Sequence, residues 1–121
     1  MFIKGRGILE IGDDVIINSN HVFNPIGGQG VTSIVVDEGA KLLLGSQVGI
    51  SNSAFYCTTG ITIEDNVLIG GSCKIWDTDF HSLDKNIRGT KYDKGISLPV
   101  RIKKNCFHWS KLYNIKRSYY R

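Results

Sequence analysis

Residues 63–81 read I-E-D-N-V-L-I-G-G-S-C-K-I-W-D-T-D-F-H and carry an apolar repeat of six residues. Isoleucine recurs at positions 63, 69 and 75, and Val67 and Cys73 each follow an isoleucine by four residues. This period fits neither an α-helix, with about 3.6 residues per turn, nor a lone strand, whose side chains alternate. It predicts a chain that turns a corner every six residues and stacks coil upon coil, as in the hexapeptide form of the parallel β-helix.

The same pattern recurs earlier in the chain. Aliphatic or small side chains occupy the repeat positions of residues 11–17, 36–42 and 44–56. One coil of such a helix takes about three hexapeptides, and each coil depends on its neighbours for a core. We therefore predict an all-β hexapeptide-repeat solenoid as one domain over residues 1–105.

Two stretches break the period and predict loops. Residues 19–32 are rich in turn-forming residues. Residues 77–98 are polar and non-repetitive, and long loops in compact domains are usually functional. The pattern resumes at Pro99–Ile102, so we expect the loop over residues 77–98 to leave one coil and return to the next.

The composition is that of an ordinary globular chain. Of 121 residues, 21% are charged and 41% hydrophobic, which excludes a disordered segment, and no apolar run reaches membrane-spanning length. The first six residues hold no apolar signal-peptide core, so we expect a cytoplasmic protein that does not bind membranes. Three cysteines form neither an even disulfide framework nor a metal-ligand spacing.

The net charge of +4 comes from the C-terminal segment. From Arg101 onward there are seven Lys or Arg residues and no acid, whereas residues 1–100 hold eight basic and eleven acidic residues. Residues 106–121 show no six-residue period, and we predict a non-repeat tail whose aromatic side chains pack over the last coil. Basic and aromatic residues together also suit a nucleic-acid-binding module, but the charge lies on one tail and not on a folded face, so we expect no nucleic-acid partner.

Four motifs, in this order, resemble the hexapeptide-repeat O-acetyltransferases, the family of galactoside, maltose and serine acetyltransferases. They are Val48–Asn52, Ile63–Gly70, Asp77–His81 and Pro99–Ile102, and the resemblance covers roughly residues 8–105. It implies a left-handed parallel β-helix that assembles as a homotrimer. It also implies transfer of an acetyl group from acetyl-CoA to a hydroxyl of a sugar-like or other small acceptor, with His81 as general base and no metal.

The chemistry of the implied reaction suits these residues. A hydroxyl that attacks a thioester loses its proton as the bond forms, and imidazole takes up and returns protons near neutral pH. In an extended segment Asp77, Asp79 and His81 alternate onto one face, where a carboxylate would orient the ring. We expect Asp79 to act with His81 in catalysis, and Asp77 and Asn52 to contact the acceptor. Asn52 resembles the acceptor-binding Asn of the family.

Other interpretations of these residues remain open. His81 would also fit an ordinary surface loop, and Asn52 a ladder of corner side chains. The two carboxylates and the imidazole would also suit a divalent metal ion. The whole chain would also fit a non-catalytic scaffold built from hexapeptide repeats.

The genetic code suggests an origin for the tail. A/T-rich codons can be chosen for residues 108–121 so that reading one base later gives Ile-Gly-Ala-Asn-Tyr-Thr-Ile-Leu-Lys-Gly-Val-Thr-Ile-Gly, a regular hexapeptide run. We predict that a single-base frameshift near Phe107 replaced the later coils. Since those coils wall part of the acetyl-CoA groove in the family, we expect the donor site of this chain to be impaired.

Overall fold

The computed structural model describes residues 1–22, 25 and 30–108, together with the backbone of residues 113–114 and 119–120. Within these ranges the chain forms short strands and no helix element, and so no helix long and apolar enough to cross a membrane. The strands are β1 (Phe2–Gly5), β2 (Ile8–Ile11), β3 (Ile16–Asn18), β4 (Ser33–Val36), β5 (Lys41–Leu44), β6 (Gly49–Ser51), β7 (Ala54–Cys57), β8 (Gly60–Ile63), β9 (Leu68–Ile69), β10 (Lys74–Trp76), β11 (Val100–Ile102), β12 (Phe107–His108), β13 (Tyr113–Asn114) and β14 (Tyr119–Tyr120).

These strands form three parallel sheets that the chain visits in fixed rotation. The strand orders are β1-β4-β7-β10-β13, β2-β5-β8-β11-β14 and β3-β6-β9-β12. Each strand therefore pairs with the strand three places later, and every circuit of the three sheets stacks on the previous one. The prediction of an all-β chain is confirmed, and the parallel stacking is compatible with a β-helix or solenoid.

The register of the sheets gives the length of a coil. In the pairing of β5 with β8, Lys41 lies opposite Gly60, 19 residues further on, which is close to three hexapeptides. In the pairing of β8 with β11, Ile61 lies opposite Val100, 39 residues further on. The extra length is the loop over residues 77–98, which interrupts the stack at the predicted place. The other predicted loop falls between β3 and β4, and its residues 23, 24 and 26–29 lie outside the described part of the chain.

The core is a set of columns, each built from one inward position of successive coils. Ile17, Ile50 and Ile69 form one column through the pairing of β3, β6 and β9. Along β4, β7 and β8 the burial alternates, because successive side chains of a strand point to opposite faces. Cys73 is buried in this core, as its repeat position predicts.

One corner of the coil repeats a left-handed backbone conformation. Asp14, Gln47, Asn66 and Asn105 stand at the corner between the second and third sheets, with φ between 56° and 65°. Asn and Asp adopt this conformation more easily than other non-glycine residues. The side chain of Asn66 also donates to Oδ1 of Asn105 at 2.8 Å, so the corner forms a polar ladder between coils.

The C-terminal segment also forms strands. Phe107, Tyr113 and Tyr119 begin β12, β13 and β14, which pair with β9, β10 and β11. The described backbone of this segment therefore continues the rotation through the three sheets, although the sequence from residue 106 onward shows no six-residue period. A strand edge left open by the preceding coil offers a row of backbone donors and acceptors, and such an edge accepts another strand with little regard to its side chains. The expected packing of Trp109 and the tail tyrosine side chains over the last coil lies outside the described residues.

Candidate functional site

The loop over residues 77–98 projects from the corner between the first and second sheets and has a closed neck. Thr78 and Ser97 form an antiparallel bridge, and the backbone N–H of Leu98 donates to the carbonyl of Asp77 at 2.9 Å. The two ends of the loop are thereby held together at the point where β10 ends and β11 begins. A neck of this kind orients the loop relative to the stacked coils.

Asp77 anchors this neck to the preceding coil through its carboxylate. Oδ1 accepts hydrogen bonds from the backbone and the hydroxyl of Thr58, both at 2.8 Å, and Oδ2 accepts from the N–H groups of Thr59 at 2.7 Å and Gly60 at 2.8 Å. The hydroxyl of Thr58 also lies 2.8 Å from Oγ of Ser97. Asp77 is fully buried. We expected Asp77 to contact the acceptor, but the structure gives it a structural role. Its carboxylate is not exposed, and both oxygens already accept hydrogen bonds from the protein.

The loop does not continue as the extended segment that the sequence suggested. Phe80 has a φ of 63°, in the left-handed region that non-glycine residues rarely adopt. The N–H of His81 donates to the carbonyl of Asp79 at 2.7 Å, which closes a tight turn around Phe80. The regular alternation that would put Asp77, Asp79 and His81 on one face is therefore lost.

His81 instead meets a carboxylate from further along the loop. Nδ1 of His81 lies 2.9 Å from Oδ2 of Asp93. The side chain of His81 is 71% exposed, whereas that of Asp93 is 10% exposed. Because Asp93 contacts Nδ1, it favours the tautomer with the proton on Nδ1 and leaves Nε2 as the basic nitrogen within reach of solvent.

Asp93 is held in its ionised form by the backbone around it. The N–H of Ser82 donates to Oδ1 at 2.6 Å, and the N–H of Gly89 donates to Oδ2 at 2.8 Å. These two hydrogen bonds and the contact with His81 lower the pKa of Asp93 to about 2. At neutral pH the group beside Nδ1 is therefore a fixed carboxylate.

Hydrogen bonds within the loop also hold it in shape, so the positions of His81 and Asp93 do not depend on the coils alone. The guanidinium of Arg88 donates from Nε to the carbonyl of Ser82 at 2.9 Å and from Nη2 to that of Leu83 at 3.1 Å. Asp84 accepts from the N–H of Asn86 at 2.9 Å. These short-range contacts form the turns that bring Asp93 back to His81 across 12 residues of sequence.

The structure thus brings His81 together with Asp93, whereas the sequence analysis named Asp79 as the partner of His81. Asp79 contacts His81 through its main chain, as described above, and the carboxylate on Nδ1 belongs to Asp93. The sequence signal for Asp93 was weak, because 12 residues of irregular loop separate the two and no period relates them. Gly89, a turn-forming residue, was the one sequence feature that indicated a chain reversal between His81 and Asp93.

Asn52 lies at the opposite end of the first sheet from the loop. It stands just before β7, whereas the corner that carries the loop follows β7 and β10. Asn52 has a φ of 41° and is 5% exposed, and its Nδ2 donates to the carbonyl of Asn20 at 3.5 Å. A strand of four residues spans roughly 13 Å, so Asn52 and His81 of one chain are not in contact.

The buried thiol near the neck is not a nucleophile. Burial, followed by the negative charge of Asp77, raises the pKa of Cys57 to about 12. The thiol therefore stays protonated. Within the described ranges, no group of three or more His, Cys, Asp or Glu side chains is placed to hold a metal ion.

Comparisons with known proteins identify no relative of this chain. No protein-family model matches it, and searches of curated proteins and of solved structures give no significant match. The exposed imidazole, the ionised carboxylate behind it and the braced loop are therefore the observations from which a function is inferred.

Proposed function

We propose that the chain is a left-handed parallel β-helix that assembles as a homotrimer in the cytoplasm and acts as an acetyl-CoA-dependent O-acetyltransferase. The observation that carries this proposal is the contact between Nδ1 of His81 and the carboxylate of Asp93. This arrangement suits general-base catalysis at a hydroxyl, because an acid orients one ring nitrogen and the other remains accessible to a substrate. The motifs that resemble hexapeptide-repeat O-acetyltransferases name the donor and the acceptor class.

In this mechanism Nε2 of His81 accepts the proton of the acceptor hydroxyl while the hydroxyl oxygen attacks the thioester carbonyl of acetyl-CoA. Asp93 stabilises the imidazolium that forms and keeps the ring in place. When the tetrahedral intermediate collapses, the carbon–sulfur bond breaks and Nε2 returns the proton to the departing thiolate. The products are the acetyl ester and free coenzyme A, and the imidazole is regenerated neutral.

The proposed trimer gives Asn52 a role that one chain does not offer. Asn52 and His81 lie at opposite ends of the first sheet, so an acceptor that touches both must lie between two copies. We include Asn52 in the acceptor site on that basis. Acceptors are small hydroxyl compounds of the sugar type, and the proposal involves no metal.

A thiol-release assay tests the proposal directly. The purified chain is incubated with acetyl-CoA and a panel of small sugars, and free coenzyme A is measured with a chromogenic disulfide reagent. Cys57, Cys73 and Cys106 are buried, so the folded protein contributes little background. We expect acceptor-dependent thiol release that falls by about 100-fold or more in His81→Ala.

Leu83→Ala is the matched control, because Leu83 lies on the same loop and is also exposed. This variant is expected to keep its activity. Thiol release that is absent from the folded, trimeric wild type would contradict the proposal and favour a non-catalytic hexapeptide-repeat scaffold or a decayed acetyltransferase that lost its donor site with the later coils. Thiol release that is unchanged in His81→Ala would contradict the role of His81 as general base.

A further inference from the structure

The two backbone N–H groups that hold the carboxylate of Asp93 come from separate segments of the loop. The N–H of Ser82 donates to Oδ1 at 2.6 Å, and that of Gly89 donates to Oδ2 at 2.8 Å. A turn that begins at Asp84 lies between the two segments. The position of Asp93 therefore depends on the distance that the loop keeps between Ser82 and Gly89.

Arg88 links these two segments. Its Nε donates to the carbonyl of Ser82 at 2.9 Å and its Nη2 to the carbonyl of Leu83 at 3.1 Å, and its own backbone continues directly into Gly89. A closed ring of contacts thus runs from Oδ1 of Asp93 through Ser82, the side chain and backbone of Arg88, and Gly89 to Oδ2 of the same carboxylate. One side chain therefore fixes the spacing of both donors.

The chemistry of Arg88 suits this task. A guanidinium is planar and presents its N–H groups in a rigid fork, so it sets the relative position of two carbonyl groups more closely than a flexible ammonium does. The Arg88 side chain lies at the surface and is exposed, so core packing does not explain why it is held by two main-chain carbonyls. The N–H groups of Ser82 and Gly89 are the leading causes of the lowered pKa of Asp93. Arg88 holds the segments that carry both.

We propose that Arg88 is a positioning residue, which keeps Asp93 on Nδ1 of His81 and so leaves Nε2 as the nitrogen that can act as base. Its consequence for catalysis rests on the proposed acetyl transfer, whereas the ring of contacts belongs to the chain without substrate. When Arg88 is removed, the segment of Ser82 is no longer tied to Gly89. Asp93 then loses its fixed place, and both tautomers of the neutral imidazole become populated.

The tautomer of His81 provides a test that needs no substrate. NMR that detects the ring nitrogens of the full chain, at a pH at which the imidazole is neutral, separates a protonated nitrogen from one with a free lone pair. His81→Ala assigns the signals of His81 among the three histidines. Arg88→Met removes the donors and keeps an unbranched stem, and Arg88→Lys restores a charged donor without the planar fork. Lys85→Met is the matched control, because Lys85 is an exposed cation of the same loop.

We expect the wild type to carry the proton on Nδ1 of His81. The shifts of the two nitrogens should converge in Arg88→Met, lie between these limits in Arg88→Lys and stay unchanged in Lys85→Met. In the thiol-release assay, kcat of Arg88→Met should fall by about tenfold or more while the KM for acetyl-CoA changes less than about twofold, because the base is misplaced and the donor is still bound.

A wild-type His81 with its proton on Nε2, an unchanged tautomer in Arg88→Met, or an equal change in Lys85→Met would overturn the inference. Acetyl transfer that depends on His81 but not on Arg88 would also overturn it and leave the proposed function intact. A tautomer that depends on Arg88 in a chain without acetyl transfer would support the positioning role and reject the proposed function.

Discussion

Asp93 contacts Nδ1 of His81 at 2.9 Å, although Asp79 is much closer to His81 in sequence. The turn around Phe80 explains the difference, since it removes the extended geometry that would have aligned Asp79 with the ring. The loop then folds back and places Asp93 beneath the imidazole, where the N–H groups of Ser82 and Gly89 hold its oxygens. The identity of the orienting acid therefore becomes an experimental question with two named candidates.

Asp93→Asn should lower the turnover of the proposed acetyl transfer by about 100-fold, with little effect on the KM for acetyl-CoA. An amide at this position no longer stabilises the imidazolium and does not favour one tautomer of His81. Asp79→Asn is the matched control and should cost less than about fivefold. Steady-state kinetics of both variants decide the question, and a larger loss in Asp79→Asn would show that Asp79 is the orienting acid.

The free energy of unfolding should decrease at acidic pH as Asp93 becomes protonated. The lowered pKa of about 2 means that the folded state binds a proton on Asp93 less readily than the unfolded chain, where an Asp titrates near about 3.9. The stabilisation is therefore fully present above about pH 4 and is lost as the pH falls toward about 2.

Thermal unfolding of the wild type and Asp93→Asn across this range measures the effect. The wild type should unfold at the higher temperature at neutral pH, and the gap should narrow only below about pH 4. If the difference in unfolding temperature stays constant from about pH 7 to about pH 2, ionisation of Asp93 does not stabilise the folded state.

The period of six was sufficient to predict an all-β chain of stacked parallel strands and its interruption over residues 77–98, because burial in such a stack follows directly from the repeat. Ile63, Ile69 and Ile75 all lie in the core as that period predicts. Contacts inside the loop could not be predicted in the same way. They depend on turn geometry, such as the left-handed conformation of Phe80, which no repeat specifies.

The strands of the C-terminal segment have a different basis. Backbone groups make the strand pairs in a parallel stack, so β13 and β14 form even though the side-chain pattern of the segment does not predict them.

The burial of Asp77 could not be predicted from the sequence either, because a carboxylate in a polar loop motif is usually exposed. The three N–H donors of Thr58, Thr59 and Gly60 that compensate its burial come from the preceding coil.

Asp77→Asn should destabilise the fold by about 3 kcal/mol. The amide would place N–H donors against backbone N–H donors of the Thr58–Gly60 turn, and a buried group that loses its hydrogen-bond partners costs about 1–3 kcal/mol for each pairing lost. Chemical denaturation measures the change, with Glu38→Gln as a control at an exposed corner position two coils earlier. The loop neck depends on the same residue, so His81-dependent activity should fall together with stability. An Asp77→Asn variant as stable as the control would show that the carboxylate is not the anchor of the loop.

His108 occupies a position that the rest of its column gives to isoleucine. It lies opposite Ile69, Ile69 lies opposite Ile50, and Ile50 lies opposite Ile17. The His108 side chain is buried, and this burial lowers its pKa. With the A/T-rich codons that the frameshift prediction assumes, reading one base later places isoleucine at position 108, which is the residue type of the column. The frameshift prediction and the packing of the core therefore point to the same residue.

His108→Ile should stabilise the chain by about 1–2 kcal/mol at neutral pH, because isoleucine buries more apolar surface than imidazole at the end of the column formed by Ile17, Ile50 and Ile69. The gain should grow as the pH falls below about 6.5, where the unfolded chain takes up a proton on His108 that the folded chain binds less readily. Thermal unfolding across this pH range measures both effects, with His21→Ile as the same substitution at an exposed turn. A His108→Ile variant no more stable than wild type, or with an unchanged pH dependence, would show that the last described coil does not pack its side chains in the column of the earlier ones. A stabilised variant would instead justify restoring the shifted frame from residue 108 onward and measuring whether acetyl-CoA then binds more tightly.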